Sequence, residues 1–385
     1  MQKIIGLVHT RFSPIGGVEN YIGKLVPALL ERNWQIHYFT ARVDQPVPPG
    51  MRIHKIPVIR GTSISRMLSF AYGARRAVRA AQLPLVMGFG RTIDQDIYRD
   101  GSGCLRDYQK YAGQPLNPFY RKSYLHLERK RFQDQRLQKV LAVSHMVRDQ
   151  IIQRYRLPPA MVEVVYSGVN AQNLHPGLKR RKRDFRKLLN IPEQARVILL
   201  IGNGFERKGV PYLIKAVSQL PIRLPFVAVV AGQDKRIDHY RQLTAESGCA
   251  ARIRFVGYQA NTAALYGAAD LFVLPSRFDP IANVVLEALY TGTPVITGPQ
   301  VGAGELIQNG VNGFVVSDYE PTTLSRAILA CYEASNQDEM ARRAHQAAAP
   351  YCWDLHVARL ETIFLQVMGQ KTNRGTRLPF SSHEG

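Results

Sequence analysis

The sequence predicts an α/β protein made of two doubly wound, parallel-sheet domains. Short apolar runs rich in Val, Ile and Leu alternate with stretches of helical period, the rhythm of an open parallel sheet. That rhythm occurs twice, on either side of a polar stretch at 171–180. The chain of 385 residues exceeds one ordinary domain, and its 45% hydrophobic content suffices for two cores.

In the first half, Lys3–Thr10 reads as a buried strand, followed by Gly16 and Gly17 where a turn must enter a helix. That helix carries Val18, Tyr21, Ile22, Leu25 and Leu29 at the 3.6 period. Glycine there lets a ligand approach the backbone and the helix N–H groups. The pattern is not G-x-G-x-x-G, so a dinucleotide site is not indicated, and a plain strand-to-helix turn fits the same residues. Strands are expected at 35–40, 53–57 and 85–90, with a helix over 63–81. The stretch 93–108 mixes acids, glycines and aromatics and reads as a loop. From 103 to 139 basic and aromatic residues interleave, which suits an anionic membrane surface, RNA or a solvated helix face. Strands at 140–144 and 162–166 flank a helix starting at His145. Residues 171–180 read as a linker, and Lys179–Lys187 as the first turns of a solvated helix in preference to a nucleic-acid arm.

The second half begins with a strand at Arg196–Gly202 and a loop holding Asn203, Gly204, Arg207 and Lys208. Two adjacent cations at a glycine-flanked strand end can clamp a diphosphate, Arg by its fork and Lys as a point charge. Strands follow at Phe226–Gln233 and Ile253–Gly257. Asp270–Pro275 is a strand, and Asp279 sits on the loop beyond it. A helix then runs from about Asn283 through Tyr290, with Glu287 eight positions after Asp279. A helix N-terminus between two carboxylates binds an anion while the acids accept from hydroxyls on either side. A helix-capping Asp with a solvated helical Glu has the same spacing. After Pro294–Thr297, a short helix at 302–307 and a strand at 313–316, a final amphipathic helix carries Trp353, Val357, Leu360, Phe364 and Val367. The tail after Gln370 is expected to be disordered.

No apolar run approaches the ~18 residues that span a bilayer. Met1–Gly6 enters a strand pattern without a signal-peptide h-region, so a cytoplasmic setting is expected. Cys104, Cys249, Cys331 and Cys352 are scattered, which points to reduced thiols and no zinc site. The net charge of +22 suits nucleic acid, an anionic membrane or a phosphorylated substrate, and also a generally basic composition.

Gly16-Gly17-Val18-Glu19, Gly204 through Gly209, Gly232 through Lys235, Phe278-Asp279-Pro280 through Glu287-Ala288, and Asn309 through Gly313 together resemble glycosyltransferase family 4 over nearly the whole chain. The stretches Gly204–Val210 and Val230–Lys235 are similar to its lipopolysaccharide core glucosyltransferase branch. The resemblance implies the GT-B fold, two Rossmann-like domains facing across a cleft: 1–175 on the acceptor side, joined by the helix at about 353–368, and 176–352 holding the donor. It implies a retaining, metal-independent hexose transfer from a nucleotide-sugar, UDP-glucose in the nearest branch, to a glycan or glycolipid hydroxyl. Arg207 and Lys208 would bind the diphosphate, with Gly16, Gly17 and the backbone at Asn283 and Val284; Glu287 would hold the ribose and Asp279 the transferred sugar. Asn203, Gly204, Gln233 and Gly257 fall on the family's donor-site loops. The branch usually has an acid where Ser102 stands and often a His where Leu105 stands, so Asp100 is the candidate to substitute. No cofactor, metal or nucleic acid is expected, and 103–139 is the expected contact with the inner face of the membrane. Two rivals remain: a UDP-sugar epimerase of the same fold, and a non-catalytic basic RNA-binding or scaffold protein.

Overall fold

The structure, a computed structural model, describes residues 2–14, 16–112 and 116–375. The chain divides into two compact units, one holding Met1–Val165 and the chain from His356 onward, the other Tyr166–Leu355. The division comes earlier than residue 175, and the stretch 171–180 ends in a 3-10 turn, Pro176–Arg181, within the second unit.

In chain order the first unit carries β1 (Ile4–Val8), β2 (Arg11–Phe12), α1 (Gly17–Glu31), β3 (Gln35–Thr40), β4 (Arg42–Val43), β5 (Met51–Lys55), α2 (Ser63–Ala81), β6 (Val86–Phe89), β7 (Ile97–Asp100), α3 (Leu105–Ala112), α4 (Pro118–Phe132), β8 (Lys139–Ala142), α5 (His145–Tyr155) and β9 (Val162–Val164). Among the described residues, seven strands form a parallel sheet in the order β5-β3-β1-β6-β7-β8-β9, and β2 pairs separately with β4. The central strands are continuous apolar runs because helices cover both faces of such a sheet. Helix α2 starts where Thr62 accepts from Ser65 N at 3.1 Å and ends at Gln82 in the left-handed region. Its face of Phe70, Ala74 and Val78 packs on Val8, Phe39, Ile56 and Val86. Burying a large apolar side chain such as Phe70 contributes about 1.5–3 kcal/mol.

Strand β7 corrects the reading of 93–108 as a loop. Ile97 and Tyr98 are fully buried between β6 and β8. The acids that disguised the strand fasten its approach. Arg79 forks onto Asp94 at 2.9 and 2.7 Å, and Asp96 accepts from Val86 N at 2.8 Å and Arg136 Nε at 3.1 Å.

The second unit carries α6 (Lys182–Leu188), β10 (Arg196–Ile201), α7 (Phe205–Lys208), α8 (Val210–Ser218), β11 (Phe226–Ala231), α9 (Ile237–Glu246), β12 (Ile253–Gly257), α10 (Ala263–Ala268), β13 (Leu271–Leu274), α11 (Asn283–Tyr290), β14 (Val295–Thr297), β15 (Gly313–Val315), α12 (Pro321–Glu333) and α13 (Gln337–Ala348). The residues expected as a helix at 302–307 form a 3-10 turn, Gly302–Leu306. Six described strands form a parallel sheet in the order β12-β11-β10-β13-β14-β15.

The Lys179–Lys187 run is solvated only in part: Arg180, Arg181, Arg183 and Lys187 are exposed, but its other three cations are tied down. Lys179 Nζ donates to the carbonyls of Tyr266 and Ala269 at 2.7 and 2.6 Å. Lys182 pairs with Asp270, and Arg186 Nη2 reaches the same carboxylate at 2.5 Å. Burial pushes the Lys179 amine down to about 7. Of the expected apolar face, Phe185 is buried, but Leu188 is 72% exposed.

Helix α14 (Trp353–Gly375) runs past the expected end near 368, so residues 371–375 are helical rather than a disordered tail; the rest of that tail lies outside the described residues. Within the first unit its Glu361 accepts from Trp34 Nε1 at 3.0 Å and pairs with Lys3 at 2.8 Å.

Candidate functional site

In the second sheet β10 pairs with β11 on one side and β13 on the other, so the strand order reverses between β10 and β13. Loops part at such a point and leave a crevice at the carboxyl ends of the strands. The loop after β10 carries Asn203, Gly204, Arg207 and Lys208, and the loop after β13 carries Asp279. These loops are tied to each other. Arg207 O accepts from Ser276 Oγ and Arg277 N, each at 2.9 Å, and Arg207 Nη1 donates to Phe278 O at 3.1 Å.

Lys208 is buried and its Nζ lies 2.5 Å from Asp279 Oδ2; Arg207 Nη1 is 3.5 Å from the same oxygen. Asp279 Oδ1 accepts from Ala282 N at 2.8 Å. Burial pushes the Asp279 carboxyl up, but Lys208, Arg207 and the Ala282 N–H outweigh it and hold the group below its ordinary value. The sequence reading brought these three residues to one site but did not foresee that they pair with one another. The Lys208 stem lies across Gly202, where a Cβ would stand 2.8 Å from Cε.

Helix α11 begins at Ala282, a left-handed residue whose side chain caps nothing, and Asn283 there is exposed. Glu287 follows one turn in, half-buried, with Oε2 accepting from the buried Tyr266 hydroxyl at 2.7 Å. The neighbouring strand ends are knitted as well. Gln233 N donates to Asn203 Oδ1 at 2.8 Å, Gly204 N to Gln233 O at 3.2 Å, and Gly232 N to the carbonyl of Gly257 at 2.8 Å. Asn203, Gly204, Gln233 and Gly257 are all exposed on this edge.

In the first unit, Gly16 caps α1 at φ 124°, and Gly17 opens the helix with nothing near its missing side chain. Where the sequence reading expects an anion, the chain places its own carboxylate. The Glu19 carboxylate folds back so closely that a Cβ on Gly16 would stand 2.1 Å from Oε2, and His9 Nε2 lies 3.3 Å from Oε1. Asp100 ends β7 as a buried carboxylate whose Oδ1 accepts from Ser102 N at 3.0 Å and Gly103 N at 2.8 Å. Burial raises its pKa despite the nearby Arg131. Arg99 beside it lies 3.8 Å over the Tyr21 ring.

Residues 181–349 match the model of Glycosyl transferases group 1, and residues 99–173 match that of Glycosyltransferase Family 4. Together the two models cover most of the chain, which is similar to glycosyltransferase family 4. It is 22% identical over 323 residues to the lipopolysaccharide glucosyltransferase WaaG of Escherichia coli K12, covering 82% of this chain and 85% of that protein. It is 29% identical over 189 residues to the uncharacterized glycosyltransferase MJ1607 of Methanocaldococcus jannaschii, 48% of each chain. It thus spans about half the length of that relative. The crystal structure of WaaG matches with a TM-score of 0.79 at 20% identity over 94% of this chain and 99% of that one. Anabaena HepE, solved in complex with UDP and glucose, gives 0.73 at 17% identity over 94% and 100%. The fold is GT-B, two parallel-sheet α/β domains.

Against this family 4 frame, sequence reasoning missed His9, Tyr21, Arg99 and Tyr266 as neighbours of the expected residues. Glu19 had a signal, three residues after Gly16, where a helical carboxylate reaches back to its own N-terminus. Tyr266 had none, because its periodicity is that of a core residue.

Proposed function

We propose that the protein is a retaining hexosyltransferase that uses a nucleoside diphosphate sugar, UDP-glucose in the sharpest form, and transfers the sugar to a hydroxyl of a glycan or glycolipid. The observation that carries this reading is the Arg207-Lys208 pair facing Asp279 where the strand order reverses. A departing diphosphate gains negative charge, and preorganised cations there stabilise the transition state more than the ground state. Lys208 reaches a diphosphate by releasing Asp279, whose carboxylate then accepts from sugar hydroxyls. Asn283 and Val284 supply the helix N-terminus, and Glu287 accepts from the ribose. An anion meeting Gly16 and Gly17 requires Glu19 to turn aside. Attack on the face from which the nucleotide leaves needs no side-chain nucleophile, and the charge on the diphosphate is met without a metal. HepE, solved with UDP and glucose and with UDP-glucose, supports the donor class. The same reading sets the work at the inner face of the cytoplasmic membrane, with 103–139 as the contact.

Thermal melting with a panel of nucleotides and nucleotide-sugars tests it. UDP at ~100-fold its dissociation constant stabilises a folded protein by roughly 2.7 kcal/mol. Stabilisation by GDP with none by UDP overturns the donor. Release of free sugar at the same rate with and without glycan acceptors favours a hydrolysing epimerase.

A further inference from the structure

The first unit holds a second concave site that the donor chemistry does not use. A groove of about 1050 Å³ opens at the carboxyl edge of its sheet, beside the N-terminus of α2. Six cations line it: Arg11, Arg42, Lys55, Arg60, Arg66 and Arg91. No carboxylate is among the lining residues. Asp44 pairs with Arg11 at 2.9 Å and also with Arg42, so six cations less one carboxylate leave five uncompensated charges. These cations follow β1, form part of β4, end or follow β5, project from α2 and follow β6. They converge from separate elements, so the cluster is not a basic sequence run on a solvated face. The dipole of α2 adds a positive end at Thr62 and Ser63. The remaining lining suits a sugar, with Thr10, Thr62, Ser63 and Asn117 as polar partners and Tyr120 as a ring. Arg91 lies over the rings of Tyr124 and Tyr120 at 5.1 and 5.6 Å.

We propose that this groove binds the acceptor, and that the acceptor is an anionic glycan whose phosphate or carboxylate groups sit among these six cations. A neutral glycan leaves five like charges facing one another in a concave site, which is unfavourable. An anionic one gains charge-assisted hydrogen bonds from arginine forks. The proposal rests on the sugar-transfer reading for the word acceptor, but not for the anion site.

Ligand-observed titration of the full chain with mannose, mannose 6-phosphate and glucuronate tests it, beside UDP melting on the same samples. At least one anionic sugar should bind about tenfold or more tightly than mannose, and the preference should shrink in high salt. Whether phosphate or carboxylate leads tells which group the acceptor carries. The double variant Arg60→Gln, Arg66→Gln should lose that preference while keeping its melting temperature and its UDP stabilisation. Arg66→Lys alone should retain most of it. Anionic sugars binding no better than mannose, or a double variant with the full preference, overturns the proposal. So does an oligouridylate that outcompetes both anionic sugars. Anionic-sugar preference without any UDP stabilisation supports the groove and removes the sugar-transfer reading.

Discussion

Lys208 and Asp279 are each nearly buried and each is the other's partner at 2.5 Å. Breaking such a pair by removing one partner leaves an uncompensated charge, a loss of roughly 3–5 kcal/mol. Asp279→Asn is therefore expected to lower the stability of the second unit by about that amount in urea titration, and Asp279→Asn with Lys208→Met to recover part of it. The pH dependence follows from the depressed Asp279 pKa. The unfolded carboxyl titrates near 3.8 and the folded one below that. Stability from this group is thus fully present above pH 3.8 and lost as pH falls through the folded value. Wild type should lose stability more steeply than Asp279→Asn in that acid window, and parallel pH profiles would sink the assignment. Arg207 separates chemistry from stability because its side chain is 32% exposed. Arg207→Ala should keep its melting temperature yet lose about 10²–10³ in kcat, the scale of one preorganised charge stabiliser. Lys208→Ala should lose both. Activity should persist in EDTA, and loss of transfer there, or an Arg207→Ala enzyme with unchanged kcat, contradicts the proposed role.

At the scale of elements, the turn from α7 into α8 holds the cation pair against the β13 loop. Gly209 has φ 81°, and a Cβ there would stand 2.0 Å from Pro275 O, a backbone atom that cannot swing away. Gly204, at φ 72°, has nothing within 4 Å. Gly204→Ala should cost only the left-handed strain, roughly 1–2 kcal/mol. Gly209→Ala adds a backbone clash and should cost clearly more, with kcat falling alongside; equal unfolding midpoints for the two would show that the turn does not hold the pair. Both loops were legible in the sequence because glycines and cations beside an apolar strand are local signals. What stayed hidden was non-local. Strand β7 was masked by Asp94 and Asp96, whose partners Arg79 and Arg136 lie elsewhere in the chain. Lys182 and Arg186 looked solvated because Asp270, which gathers them, is far off in sequence. Helices α9, α12 and α13 carried no motif and drew no reading, although α9 and α12 pack on α8 and α13 packs on α11.

For the whole molecule, +22 is a large charge, and the structure divides it into kinds. Some cations neutralise buried acids, as at Asp94, Asp96 and Asp270. Others gather in the groove beside α2. A third set lies in 103–139, apart from 113–115, which are outside the described residues. Arg131 there is buried with Nε donating to Thr92 O at 2.8 Å, while Arg136 and Lys139 pair with Asp96 and Glu163. Arg106, Lys110, Arg121, Lys122 and Arg129 are exposed, and Phe119 stands 74% exposed among them. No described helix is long and apolar enough to cross a membrane. The proposed contact is peripheral, through these exposed cations and Phe119. Each surface cation contributes about 1 kcal/mol near an anionic leaflet, within a Debye length of about 8 Å. In liposome flotation the protein should bind anionic vesicles, release with salt and ignore neutral ones. Replacing Arg121 and Lys122 by Gln should weaken binding roughly thirtyfold, because two such contacts are lost. Phe119→Ala should weaken it too, but with little change in salt dependence, since an inserted ring acts through apolar area rather than charge. The same loss of binding for changes at Arg60 and Arg66 would assign the membrane contact to the groove instead, and equal binding to neutral vesicles would remove the electrostatic contact altogether.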